Sequence, residues 1–265
     1  MRRLSFSPSS AALKRFYKRA GVAARSDGLY AVQLDGRTVK TPLRRRLVFE
    51  SEPLAVAVAA EWDAQTDKVR PPLMHLVRKI IDHVVYIRMY FLVKTGLCMT
   101  DIDQPDALTK TSLIGEILPH LQTDCTCSRL VEPDDLVRLQ EVTWDPLIGW
   151  FQNRYGVLLR TTTSLLQASQ SNETLDSLRR ELFLFTKRQL LGLRFGVFAL
   201  ESLVIMMAVI ENRLSVEKAV DAARIETEFQ IQHWGNVEWS HSLNKLDTTA
   251  RLAAAIMYLK HTEKQ

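Results

Sequence analysis

Cysteine is scarce in this chain and badly placed for cross-links. Its three copies in 265 residues, Cys98, Cys125 and Cys127, cannot all pair, and the last two stand too close in sequence for an ordinary bridge. A disulfide framework is excluded, and a reducing compartment is the simpler inference. Catalytic signatures are missing as well. There is no Gly-x-Ser-x-Gly elbow, no His-Glu-x-x-His, no glycine-rich phosphate loop and no Gly-x-Gly-x-x-Gly after a strand. Their absence lowers the expectation of an enzyme, and no cofactor is expected. Long apolar runs are also lacking: a membrane span needs about 20 apolar residues with few or no charges, and the best stretch, "LGLRFGVFALESLVIMMAVI" at 191–210, is broken by Arg194 and Glu201. It predicts one buried core helix and no stable membrane insertion. Nor is there a strong excess of one charge. Lysine plus arginine number 35 against 30 acids, and residues 1–26 alone hold seven basic groups and no acid. The remainder is nearly neutral, which argues against a nucleic-acid-binding stripe. No internal repeat or long low-complexity linker is visible.

What the chain does have is ordinary globular composition, 46% hydrophobic and 25% charged. Its start, "MRRLSFSPSSAALKRFYKRAG", is rich in arginine and serine and free of acid, as mitochondrial transit peptides are; a basic disordered tail is the alternative. "LYAVQL" runs into the turn dipeptide Asp35-Gly36 and then "RTVKTP", which predicts two short strands and a tight turn. Ser51 caps a helix over 53–65 in which Leu54, Ala57, Val58 and Trp62 share a face. From residue 105 the periodicity becomes helical. Pro146 predicts a kink in "PDDLVRLQEVTWDPLIGWFQNRYG", "VLLRTTTSLL" reads as a lone extended piece, and Asn172 opens another helix. Gly192 is read as separating that helix from the apolar one. Ser215 caps "VEKAVDAARIETEFQIQHWG", with Gly235 as a stop or a tolerated interior glycine, and a last helix spans about 237–260. The fold class is therefore α+β. A basic leader occupies 1–14, a small β-rich N-terminal domain 15–104, and an all-helical C-terminal domain 105–265.

The stretch "EFQIQHWGNVEWSH", 228–241, gathers the aromatic and titratable residues that could form a site. A metal site would use His233, Glu238 and His241. Zinc helices place ligands three or four apart on one face, a spacing that Glu238 and His241 meet and His233 does not. A small metal-binding protein or metalloenzyme is the alternative function on that basis. A stripe is the other reading: Glu226, Gln230 and Trp234 follow each other at i, i+4 on a helix, and Glu238 and His241 continue at i+4 and i+7 from Trp234. Such a stripe is either an ordinary solvated face or a protein-recognition face, since interface hot spots favour tryptophan. Glu61, Trp62 and Asp63 pose the same choice between structure and partner binding, with Trp62 expected in the core.

Several stretches together resemble the mitochondrial ATP synthase assembly factor 2 family. They are "RFYK" (15–18), "LDGRTVKTP" (34–42), "AVAAEWDAQ" (57–65), "PPLMHL" (71–76), "TDCTCSR" (123–129), "WDPLIGW" (144–150), "LESLV" (200–204) and "ARIETEFQIQHWGNVEWSH" (223–241), in the family's order across nearly the whole chain. The resemblance implies an ATP-independent chaperone of the mitochondrial matrix. It would bind the free alpha subunit of the ATP synthase catalytic head, prevent its aggregation and promote assembly of the complex, without enzymatic activity. The oligomeric state is left open, with a monomer as the default. One departure stands out. Residues 77–94, "VRKIIDHVVYIRMYFLVK", intervene where the family runs almost directly into a segment like "TGLCMTDID". Val77-Arg78-Lys79 can be encoded by a sequence beginning GTAAG, the usual start of an intron, so the segment reads as a translated short intron or a genuine insertion.

Overall fold

The computed structural model describes residues 14–41, 43–69, 74, 97–103, 109–164, 169–235 and 240–262, with the side chains of 240 and 241 excepted. The leader at 1–13 and the segment 77–94 lie outside the described residues, and so does any test of the transit, intron or insertion readings. The chain divides into two compact units, Met1–Asp103 and Gln104–Gln265.

The first unit is built on an antiparallel sheet of β1 (Ala20–Ala24), β2 (Tyr30–Leu34), β3 (Arg37–Thr38) and β4 (Val48–Phe49). The order is β1-β2-β3, and β4 also pairs with β2. Asp35 and Gly36 close the β2–β3 turn with φ of 48° and 80°, the double left-handed geometry that matches the twist of a tight hairpin. That turn fixes the register, Leu34 opposite Arg37 and Gln33 opposite Thr38. Helix α1 (Glu52–Asp63) packs on β1 and β2. Ser51 caps it by accepting from Leu54 N–H, and Pro53 in the first turn needs no hydrogen bond there. Its buried face is Leu54, Ala55, Val58, Ala59 and Trp62, so Ala55 and Ala59 do what the sequence assigned to Ala57. Helix α2 (Leu97–Asp103) is buried through Leu97, Cys98, Met99 and Thr100. Asp103 anchors its end by accepting from Thr41 Oγ1, while Arg45 Nη1 donates to the Ile102 carbonyl at 2.9 Å.

The second unit is helical: α3 (Lys110–Ile117), α4 (Asp134–Tyr155), α5 (Asn172–Phe183), α6 (Lys187–Leu200), α7 (Leu203–Ile210), α8 (Val216–Ala223), α9 (Ile225–Trp234) and α10 (Ser240–Thr262), with two 3-10 turns at Leu118–Leu121 and Cys125–Cys127. Together with the four-stranded sheet this is the α+β class expected. Helix α4 runs through Pro146 without ending and stops at Gly156, whose φ of 61° terminates it. The segment after it touches the chain again through a parallel bridge of Thr162 with Ser128.

Three breaks fall elsewhere than the sequence suggested. Gly192 is not a separator: it sits inside α6, buried, where an added Cβ would meet Leu259 Cγ at 2.8 Å and Tyr258 Cδ1 at 3.1 Å. The glycine serves the close approach of α10 to α6, and the real break is at Thr186, which forms a capping box with Gln189. The apolar stretch 191–210 is not one helix, because Glu201 adopts φ 55° and Ser202 recaps the chain for α7, all of whose residues but the last are buried. Arg194, the cation inside that stretch, is neutralised by Glu116 at 2.6 Å and lies over the Phe198 ring. Finally, Arg224 with φ −115° and ψ 15° interrupts what looked like a single helix after Ser215. No described helix is long and apolar enough to cross a membrane.

Candidate functional site

Helix α9 carries the first three residues of the expected stripe, and its two ends live in different surroundings. Ile225 and Phe229, one turn apart, are buried against Leu136 and Trp144 of α4, with Cys125 packed on the same cluster. Trp144 joins the two elements by donating from Nε1 to the Ala222 carbonyl at 2.8 Å. Glu226 is drawn into this junction. Its Oε1 accepts from Gln140 Nε2 at 2.9 Å, and Gln140, itself buried, accepts the Leu130 N–H at 3.1 Å. Burial pushes the Glu226 carboxyl above the ordinary range, against the smaller pull of the Gln140 hydrogen bond.

The far end of α9 is open. Gln230 is exposed and Trp234 is 77% exposed. His233 stacks on Phe229 with ring centroids 4.0 Å apart, and its Nδ1 lies 3.0 Å from the Phe229 carbonyl oxygen, where a proton on that nitrogen donates back to its own helix. Gly235 ends the helix with φ 85° and ψ 165°. Helical spacing therefore does not carry past Trp234, which corrects the continuation of the stripe at i+4 and i+7. Glu238 lies outside the described residues; the backbone of His241 belongs to α10, and its side chain lies outside them too. Among the described residues no three His, Cys, Asp or Glu side chains group as metal ligands.

Beyond the break, α10 exposes Leu243 and Leu246, three residues apart on one face. Polar ties hold its start: Lys245 Nζ reaches Asp221 at 2.7 Å and Glu228 at 3.4 Å, and Arg224 Nη1 donates to Asn244. The unit thus presents a helix start held by polar ties, with uncovered apolar side chains beside them.

In the first unit the three neighbouring candidates separate. Trp62 is 2% exposed, accepts the Tyr17 hydroxyl at its carbonyl at 2.6 Å and meets the Tyr17 ring edge-on. Asp63 is exposed and pairs with Arg15 at 3.4 Å, and Glu61 is half-buried. Arg15 is a residue whose role the sequence alone does not single out. Its guanidinium donates to the carbonyls of Asp63, Gln65 and Lys18, placing a cation at the C-terminal end of α1 where the helix dipole is negative. Only its place in "RFYK" marks it.

Asp124 is a second such residue. It is fully buried and accepts five hydrogen bonds, from Thr126 N–H and Oγ1 and Ser202 Oγ on Oδ1, and from the N–H groups of Leu203 and Val204 on Oδ2. It caps α7 from a distant part of the chain. Burial pushes its carboxyl up, while the hydrogen bonds from Ser202, Val204 and Thr126 pull the other way. No local pattern announces this role. The cysteines beside it are free, and burial pushes the Cys127 thiol up to about 12, so it stays protonated at neutral pH and is a poor nucleophile.

Comparison with known proteins gives these elements a family. "Protein atp12, mitochondrial" of Schizosaccharomyces pombe is 26% identical over 254 residues, covering 91% of this chain and 80% of that one. The crystal structure of Atp12 from Paracoccus denitrificans is similar with a TM-score of 0.73 at 27% identity, over 95% of this chain and 99% of that chain. A protein of solved structure from Agrobacterium tumefaciens reaches a TM-score of 0.77 at 25% identity, over 94% of this chain and 86% of its own. The model of the family described as "ATP12 chaperone protein" matches residues 14–152, more than half of the sequence. The chain belongs to the ATP12 chaperone protein family.

Proposed function

We propose that this chaperone holds the free alpha subunit of the mitochondrial ATP synthase catalytic head in the matrix, without consuming ATP or catalysing a reaction, until the subunit is taken into the complex. Family membership is the observation that carries the reading; the relatives named mitochondrial and the acid-free start of the chain support the compartment. The physical requirement is plain. A subunit destined for an obligate interface exposes a large hydrophobic face before assembly, and such faces aggregate. A holdase needs an apolar face of its own that binds reversibly. Trp234, Leu243 and Leu246 are exposed apolar side chains on helices otherwise tied down by ion pairs, and tryptophan is the residue type that most often anchors an interface. Gln230, Glu238 and His241 are proposed as the polar accompaniment. Glu226 contributes from behind, by holding α9 to α4 through Gln140.

Pull-down of the full chain with separately expressed alpha and beta subunits, with and without ATP, tests the reading. Capture of alpha regardless of nucleotide is expected. Capture of neither subunit, or of beta alone, overturns it.

A further inference from the structure

The N-terminal unit contains a cleft of about 560 Å³, within the ordinary range for ligand sites of about 300 to 1,000 Å³. It lies between the Phe16–Tyr17 segment and the hairpin that carries Arg37 and Lys40, with Trp62 and Val69 also in its wall. Tyr17, Trp62 and Val69 are buried, whereas Phe16 is 64% exposed, an aromatic ring left uncovered at the edge.

The polar groups of the cleft are unevenly satisfied. Asp35, the one carboxylate among the described lining residues, is engaged: it accepts the backbone N–H groups of Lys18 and Arg19 at 2.8 to 3.0 Å, which hold its carboxyl below the usual range. Arg37 and Lys40 are exposed, and no described carboxylate pairs with either. Trp62 Nε1 is buried with no hydrogen-bond partner among the described residues. That nitrogen is closed to solvent, so the Trp62 ring offers the cleft an apolar surface and not an open donor.

We propose that this cleft binds an extended acidic peptide segment, one large apolar side chain of which lies against Phe16, Tyr17 and Trp62 while flanking carboxylates meet Arg37 and Lys40. The chemistry of the wall selects this occupant. Among the described residues neither cation has a carboxylate partner, which favours carboxylates, and the aromatic side accepts an apolar side chain. The volume suits a short peptide better than a single side chain. The proposal concerns residues 16–69 alone and does not rest on the client named above.

The test is a titration of the full chain with acetyl-Glu-Leu-Glu-amide, followed by nitrogen–proton NMR, with acetyl-Lys-Leu-Lys-amide and acetyl-Glu-Ala-Glu-amide as controls. The expected result is a saturable shift of the Trp62 indole N–H and of the Arg37 and Lys40 amides in the millimolar range or below. Affinity should be about tenfold weaker for acetyl-Lys-Leu-Lys-amide and for the Arg37→Glu/Lys40→Glu double variant, as loss of two exposed charge pairs implies, and also weaker for acetyl-Glu-Ala-Glu-amide, which keeps both carboxylates but loses the apolar contact. Arg37→Gln/Lys40→Gln should show the same direction with a smaller loss, and unchanged thermal unfolding would establish that both variants fold. No saturable shift with the acidic peptide, or equal binding of all three peptides, overturns the proposal. So does binding to correctly folded charge-reversed protein at undiminished affinity.

Discussion

Trp62 and Trp234 have similar neighbours in sequence and opposite fates in the fold. Each stands among titratable residues near the end of a helix, yet one is 2% exposed and the other 77%. The difference lies in helical phase. Trp62 follows Val58 by four residues and so continues the buried face of α1, whereas Trp234 follows Phe229 by five, roughly 140° away from the buried face of α9. Position on the face, and not residue type or local charge, decides whether an aromatic holds the fold together or stands in solvent. Trp144 is an intermediate lesson: it is buried like Trp62, but its indole N–H is paired, to Ala222.

Replacing these residues should pull the two roles apart. Trp62→Ala should cost about 3 to 5 kcal/mol and unfold the N-terminal unit at moderate temperature, read as loss of its sheet signals in NMR. Trp144→Phe keeps most of the ring but strands the Ala222 carbonyl, and a loss of about 1 to 3 kcal/mol in denaturant unfolding is expected. Glu226→Gln should act in the other direction. Because burial raises the folded-state carboxyl, Glu226 stabilises most at acid pH, where it is protonated, and that contribution is lost as pH rises through its folded value. The glutamine variant, neutral throughout, should therefore be as stable as the parent in acid and more stable at neutral pH, by under about 1 kcal/mol. Trp234→Ala should move thermal unfolding least, within about 0.5 kcal/mol, while weakening alpha-subunit capture at least about tenfold. Equal stability loss for Trp62→Ala and Trp234→Ala would erase the distinction between the two tryptophans.

Local chemistry is legible in the amino-acid sequence, and partnership across the chain is not. The Asp35-Gly36 turn and the caps Ser51 and Ser215 act within a few residues of themselves, and each does in the fold what its sequence context implies. Gly192 misleads because a glycine in a helical pattern reads as a breaker, while its real reason, Leu259, lies far along the chain. Glu201 and Arg224 mislead in the opposite sense: neither is a residue that announces a break, yet both end helices, and after Glu201 the next helix start is held by the distant Asp124. In the candidate site, helical spacing drawn through Gly235 treats the helix as continuous where it ends. Gln140, which claims Glu226, stands 86 residues away and leaves no trace in the local pattern.

Asp124 sets an order of events for a chain made from its N-terminus. Its principal partners, Ser202, Leu203 and Val204, lie 78 to 80 residues later. While those residues are still unsynthesised, the carboxylate has only Thr126 nearby and must stay hydrated. Once they arrive, one side chain closes that long loop, caps the most apolar helix of the unit and exchanges its water for Ser202, Leu203 and Val204. A ribosome stalled before residue 202 would therefore carry a helical unit without its central pin, and a protease should distinguish that nascent chain from the finished one.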